Sequence, residues 1–600
     1  MLLRPVCPRR MALLLALVCT ASCSVKTNVA GTSTTSPAVN HLYVTVSGLS
    51  LNTSSTAKPA DSTWLRVTLK TPVTVDLYDP TRSLAAALVS EATVPAGTYV
   101  QMRLALVANT TTTASSATAL GLSSNNVVVY TTGSGASATV PVEYATQTPS
   151  LLLTLPAKIV FKGSTSTSTS ASTSGTANST APTQLDVQFD ALRHLHYVTQ
   201  TYGSSASQLF AWLGAPAMTL DSTLAGGISG TLDLGALAAS TLSSSQGIIA
   251  TAEQTSADGT RNVEIASAVV QVSGTAGTFT IYPLPAVAGG TTTYDIVIHG
   301  PGVQTMIVQS VPVSAGLPTA TTSLSTGSVA LVAAPTYSVY MPAVSTTAGG
   351  VVAYANGNAT VPLPAAAEVG FYETLNTSVN KLPYRIEGTA LNPLTRQFSA
   401  TDAPNSIGTT TSIQTNFVLT NANVLVGTYT STGAVTFAEI TPAEGTGSYL
   451  VSASAPLHTP SPLVASASTP VFRVVPGTNA QPIYPLAPAP ASGTSATLSV
   501  SLPAGTYLYD NATLVISAGG LVVDAVDLAQ ALATASGATL HVGVAGLPVG
   551  TPGSVYTPAV YDMEVRAWQS GAPNNGVHYS WLNGVDMTNG IAPNQVLSLP

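Results

Sequence analysis

His41-Leu-Tyr-Val-Thr-Val46 is a short run of β-branched and aromatic residues, and three others repeat its character: Val127-Val-Val-Tyr130, Gly277-Thr-Phe-Thr-Ile-Tyr282 and Ala496-Thr-Leu-Ser-Val-Ser-Leu502. Thr and Val lose side-chain freedom in a helix and pack well on a pleated sheet. Gly, Pro, Asn and Ser clusters bound these runs at intervals suited to β-sandwiches. The expectation is therefore an all-β chain of several serial sandwich domains, immunoglobulin-like or transthyretin-like, with little helix. Two short helices are expected as exceptions, near Leu84 to Ser90 and over Val526 to Ala535, with Asp524 and Asp527 as caps of the second.

Composition narrows the function classes. Only 7% of the 600 residues are charged, well below the usual quarter of a soluble protein. Ser, Thr, Ala, Gly and Val dominate, so hydroxyls rather than charges keep the surface wet. The formal net charge of −7 becomes −10 once Arg4, Arg9 and Arg10 leave with a leader. A weak field without a polybasic patch argues against nucleic acid and anionic headgroups as partners.

That leader is residues 1–22. The three arginines form its positive head, Met11 to Cys19 runs without a charge, and small residues follow. The apolar run is shorter than the roughly 18 to 20 residues a spanning helix needs, so it reads as a signal peptide. Thr20-Ala21-Ser22-Cys23 resembles the bacterial lipobox, with Thr20 where leucine is usual. That resemblance implies that Cys23 carries a diacylglycerol and fatty acyl chains such as palmitate, and becomes the first mature residue. Each buried methylene contributes about 0.8 kcal/mol to such an anchor. Ser24, standing where an aspartate would retain the protein at the inner membrane, points to the outer membrane. Cys7 and Cys19 leave with the leader, so no disulfide, cysteine metal site or second thiol remains.

Residues 23–39 read as a Ser/Thr-rich tether. A first β-domain is expected over 40–220, interrupted by a Ser/Thr/Ala/Gly insert at 163–183 that buries too little apolar surface to order. Further β-domains are expected at 226–316, 320–470 and 482–600, with Pro- and Ala-rich connectors at 455–470 and 482–493. Pro95-Ala-Gly-Thr-Tyr99 recurs as Pro503-Ala-Gly-Thr-Tyr507, and Tyr294 stands in a similar setting. Each reads as a turn delivering a tyrosine to an inner strand.

His41-Leu-Tyr-Val-Thr-Val-Ser-Gly-Leu49, Trp64-Leu-Arg-Val67, Pro72-Val-Thr-Val-Asp-Leu77, Pro95 to Leu104 and Leu185-Asp-Val-Gln-Phe-Asp190 occur in the order seen in the DUF4382 family. Over residues 40–220 the chain resembles that family of envelope proteins, often lipoproteins, whose function is unknown. It departs from the pattern at Arg193-His-Leu-His196. Residues 226–316, from Gly226-Gly-Ile-Ser-Gly-Thr231 to Tyr294-Asp-Ile-Val-Ile-His-Gly-Pro-Gly302, resemble a carboxypeptidase regulatory-like sandwich of transthyretin type.

Chemistry-bearing motifs are sparse. No HExxH, GxSxG, phosphate-binding glycine loop or EF-hand spacing occurs. Ser378-Val-Asn-Lys381 matches Ser-x-x-Lys but has no Lys-Thr-Gly partner, so chance is the preferred account. His194 and His196 share a strand face and with Asp190 could approach a metal, though a solvent-facing or sheet-capping pair is preferred. Asp186 and Asp190 read as strand-end residues. The densest cluster is C-terminal, where Trp568, His578, Tyr579 and Trp581 stand among Tyr556, Tyr561, Asn574, Asn575, Asn583, Asp586 and Asn589. Flat rings beside amides suit sugar rings or extended peptides, and the competing account is a sandwich core with Asn turns.

These residues point to a lipid-anchored, non-enzymatic envelope protein. It needs no cofactor, and its partners are the membrane and either a glycan or another envelope or surface protein. The alternative is an envelope enzyme acting on glycans, with the β-domains as accessories.

Overall fold

The strand Val39–Asn52 shows how local sequence builds the first domain. Leu42, Val44 and Val46 are buried at even positions, then Leu49 and Leu51 at odd ones. A register shift between Val46 and Gly48 makes the switch. A bulge turns the strand so that both apolar sets meet one core. Only glycine fits at 48, because a Cβ would stand 2.4 Å from the Val67 carbonyl oxygen.

This computed structural model describes residues 24–34, 39–55, 57, 61–77, 86–131, 136–144, 146, 148–161, 183–190, 195–202, 206–213, 217–238, 247–316, 321–341, 368–377, 379–390, 396–397, 415–430, 435–455, 457–461, 463, 472–473, 489–490, 495–502, 511–528, 539–549, 560–568, 577–587 and 595–598. The chain is nearly all β, in several separate sheets, as expected. Among the described residues the one α-helix is Ser115–Thr118, a single turn in a place no propensity argument marks.

Both expected helices are corrected where they are described. Residues 86–90 belong to the strand Ala86–Pro95, which pairs antiparallel with Ser24–Thr34. Backbone pairing to a neighbour outweighs the helix preference of an alanine-rich run. Val526 and Asp527 end the strand Leu521–Asp527, and 529–535 lie outside the described residues. Asp524 is buried within that strand and its carboxylate accepts from the Ala525 N–H.

The stretch expected as a tether differs as well, since Ser24–Thr34 pairs in parallel with Thr183–Asp190 inside a twelve-stranded sheet. Asp186 is a second correction. It lies mid-strand, fully buried, and accepts a short hydrogen bond from the Tyr282 hydroxyl, so it joins the first domain to the next rather than ending a strand. The insert 163–182 lies outside the described residues.

The second sandwich faces Ala225–Asp233, Ala276–Pro285 and Thr321–Ala330 against Ile249–Thr255, Asn262–Val269, Thr291–Gly300 and Val303–Ser314. It takes strands from beyond residue 316. Thr321–Ala330 pairs in parallel with Ala225–Asp233, and Val424–Thr428 with Val303–Ser314. Leu324, Leu331 and Val435 accordingly enter its core. Glu368–Thr374, Pro383–Ala390 and Ser448–Ser454 form a further sheet beside it.

The tyrosine device recurs with one chemistry. Tyr99 donates its hydroxyl to the Pro95 carbonyl at 3.1 Å, Tyr294 to Pro285 at 2.5 Å, and Tyr561 to Pro548. Each ring is buried in a core while its one polar atom finds a backbone acceptor. Tyr507 lies outside the described residues.

The last domain is a sandwich that returns to the first. In Asn511–Ala518, Ala512, Leu514, Ile516 and Ala518 enter its own core, whereas Val515 joins Val522 and Ala525 in the core of the first domain. The turn at Gly519-Gly520 reaches the strand Ser150–Thr154. A Cβ on Gly520, at φ +90°, would stand 2.9 Å from the Ser150 carbonyl oxygen. The strand Leu521–Asp527 accordingly carries consecutive buried apolar residues from Leu521 to Val523.

Candidate binding site

Alternation along two paired strands creates the C-terminal site. Val560–Trp568 and Val577–Asp586 run antiparallel, with Arg566 opposite Tyr579 and Glu564 opposite Trp581. Tyr561, Met563, Val565 and Ala567 fill the sandwich core. Glu564 and Arg566 therefore point the other way, and both are buried. Val577–Asp586 ends the strand order of its sheet, and Tyr579 and Trp581 are half-buried there.

The two rings stack with centroids 5.3 Å apart and planes within 8°. Their polar ends are held by carboxylates. Tyr579 donates to Glu143 Oε1 at 2.9 Å, and Trp581 Nε1 donates to Glu564 Oε2 at 3.2 Å. Glu143 ends the strand Ser137–Glu143 of the first domain, and Arg566 Nε lies 3.6 Å from its Oε1. The aromatic pair thus sits at the seam between the first and last domains.

Burial pushes the Glu564 carboxyl well above the ordinary carboxylate range, and the nearby charge of Glu143 adds to the shift, while Arg566 and the Trp581 N–H oppose it. Burial and Glu143 likewise raise the Tyr579 phenol. A carboxyl whose pKa is raised by folding stabilises the fold fully below its unfolded pKa, and that contribution is lost as pH rises through the folded pKa. Wild-type protein should therefore lose stability relative to Glu564→Gln over the range of pH that extends upward from the ordinary carboxylate value of about 4. Urea midpoints of the two proteins across that range check it, and parallel curves would contradict it.

Of the four sequence-derived candidates, the structure brings Tyr579 and Trp581 together. His578 is half-buried and falls on the opposite face of its strand, in register with Ala567. Trp568 ends its strand in register with Val577, and its side chain lies outside the described residues. Tyr561 is core, Asn583 and Asp586 are exposed, and Tyr556, Asn574, Asn575 and Asn589 lie outside the described residues. His194 and Cys23 lie outside them too. His196 pairs with Trp212 in a strand ladder, with its side chain not described. Among the described residues no three His, Cys, Asp or Glu side chains group as a metal site, and no helix is long and apolar enough to cross a membrane.

Sequence reasoning missed Glu143, Glu564 and Arg566. A signal existed: Glu564-Val-Arg566 places opposite charges on one strand face in a chain with few charges.

The family model of a domain of unknown function, DUF4382, matches residues 33–147. Glu143 falls inside the matched segment, and residues 148–220 fall outside it. No curated protein matches the chain.

Proposed function

We propose that this chain is a lipid-anchored, non-enzymatic protein of the bacterial cell envelope, held at the outer membrane through Cys23, whose β-domains present a binding surface. The half-buried Tyr579–Trp581 stack carries this reading. Its phenol and indole N–H are already hydrogen-bonded within the protein, so what remains for a partner is flat apolar ring surface on an edge strand. Such a surface suits the apolar face of a sugar ring, and an envelope glycan is the ligand class it fits best. The neighbouring carboxylates favour binding over hydrolysis, because Glu143 and Glu564 are buried and each holds the polar end of a ring. The signal peptide and the carboxypeptidase regulatory-like character of 226–316 belong to the same proposal, resting on the residues quoted for them.

One experiment addresses anchor and ligand together. Protein taken from bacterial envelopes in the detergent phase should retain immobilised envelope glycan, about tenfold more tightly than Trp581→Ala, while Trp581→Phe keeps most of the binding. Recovery in the aqueous phase contradicts the anchor. Glycan hydrolysis would favour the competing enzyme, and equal retention by Trp581→Ala would exclude the aromatic site.

A further inference from the structure

A second polar cluster lies where the sandwich meets the sheet of Glu368–Thr374, Pro383–Ala390 and Ser448–Ser454. Gln309, on the strand Val303–Ser314, is only 1% exposed. Its Nε2 donates to Thr377 Oγ1 at 3.0 Å and to the Tyr384 hydroxyl at 2.7 Å. Thr377 stands in the turn between Glu368–Thr374 and Pro383–Ala390. Its hydroxyl donates to the Asn380 carbonyl at 2.7 Å and accepts from the Asn380 N–H at 3.1 Å, so its oxygen is held in one place. The Tyr384 hydroxyl donates to Asp295 Oδ2 at 2.7 Å, and the Asn380 side-chain amide donates to the same oxygen at 3.0 Å. Asp295 Oδ1 accepts from the Ser310 N–H at 2.8 Å.

A hydroxyl is thus fixed beside a buried carboxamide, with a phenol on the amide nitrogen and a carboxylate behind the phenol. From this geometry we propose that Thr377 and Gln309 join through an ester bond, a self-formed cross-link between the sandwich and the neighbouring sheet. Thr377 Oγ1 attacks the side-chain carbonyl carbon of Gln309, forming the C–O bond. The C–N bond then breaks with its electron pair leaving on nitrogen. The proton released from Thr377 Oγ1 passes to that nitrogen, 3.0 Å away, while the Tyr384 oxygen, which accepts from the same nitrogen, holds the departing ammonia in place. The products are one ester and one ammonia, and nothing is oxidised or reduced.

Carboxamides are poor acyl donors in water. Fixed approach supplies much of what intermolecular attack lacks, and the burial of Gln309 shields its acyl carbon from water. Asp295 acts here as a positioning residue, holding Tyr384 against the nitrogen. After Cys23 the chain has no cysteine, so no disulfide can make this connection. A bond between residues 68 positions apart would restrict the unfolded chain as a disulfide does.

Mass spectrometry of the purified full chain tests it. The expected result is an intact mass one ammonia below that calculated for the mature, acylated chain, and a branched peptide carrying both Gln309 and Thr377 that hydroxylamine cleaves. Thr377→Ser keeps the cross-link, and Thr377→Ala returns the full mass. Separate linear peptides containing Gln309 and Thr377 from the wild type overturn the proposal without recourse to any variant. So does an ammonia loss that persists in Thr377→Ala, since Asn-Gly sequences such as Asn583-Gly584 can lose ammonia by cyclising. Neither outcome depends on whether a glycan binds at Trp581.

Discussion

Arg385→Met should destabilise the central unit by about 3–5 kcal/mol, among the larger effects of any single substitution in the chain. The guanidinium lies 2.9 Å from Glu264 Oε2 and 3.5 Å from Glu368 Oε2, and all three side chains are nearly buried. Its backbone N–H also reaches Glu253 Oε2 at 3.3 Å. Removing the cation leaves carboxylates from two sheets facing one another without compensation. They must then take up protons or separate, and either response costs stability. Arg385→Lys keeps the charge but loses the planar fork that reaches two carboxylates at once, so its loss should be smaller. Urea is the denaturant of choice, because guanidinium chloride would screen the charges under test. A loss under about 1 kcal/mol would mean that the cluster behaves as an exposed one.

Val522→Asp should open the seam between the first and last domains, at a cost of about 4 kcal/mol or more. Val522 is 2% exposed and sits with Val515 and Ala525 in the core built on Leu42, Val44 and Trp212. An aspartate there buries a carboxylate among apolar side chains and removes apolar contact from both domains. The distinguishing readout is regional. Hydrogen exchange should quicken in Asn511–Ala518 and in Val39–Asn52, and stay slow in Thr291–Gly300, which belongs to another core. Uniform loss of protection would show instead that the domains unfold as one unit.

Much of this architecture was legible along the chain. The run at His41 is a strand, Tyr99 and Tyr294 are delivered to cores by their turns, and Tyr579 with Trp581 marks an aromatic surface. Less legible was whatever depends on a distant partner. The alanine-rich stretch after Leu84 reads as helix until Ser24–Thr34 is placed beside it. Asp186 reads as a strand end until Tyr282 closes over it. Glu143 carries no local mark at all, since the residue it holds, Tyr579, lies 436 positions further on.

By itself, then, the amino-acid sequence determined a β-rich, weakly charged chain whose cysteines all lie in its first 23 residues, because composition and side-chain alternation act locally. Tertiary structure alone decided that the last sandwich folds back onto the first and that Glu564 and Arg566 are buried rather than solvated. It also set Gln309 against Thr377. A strand face shows the same alternation whether it meets water or another domain, and only the packed neighbour settles which.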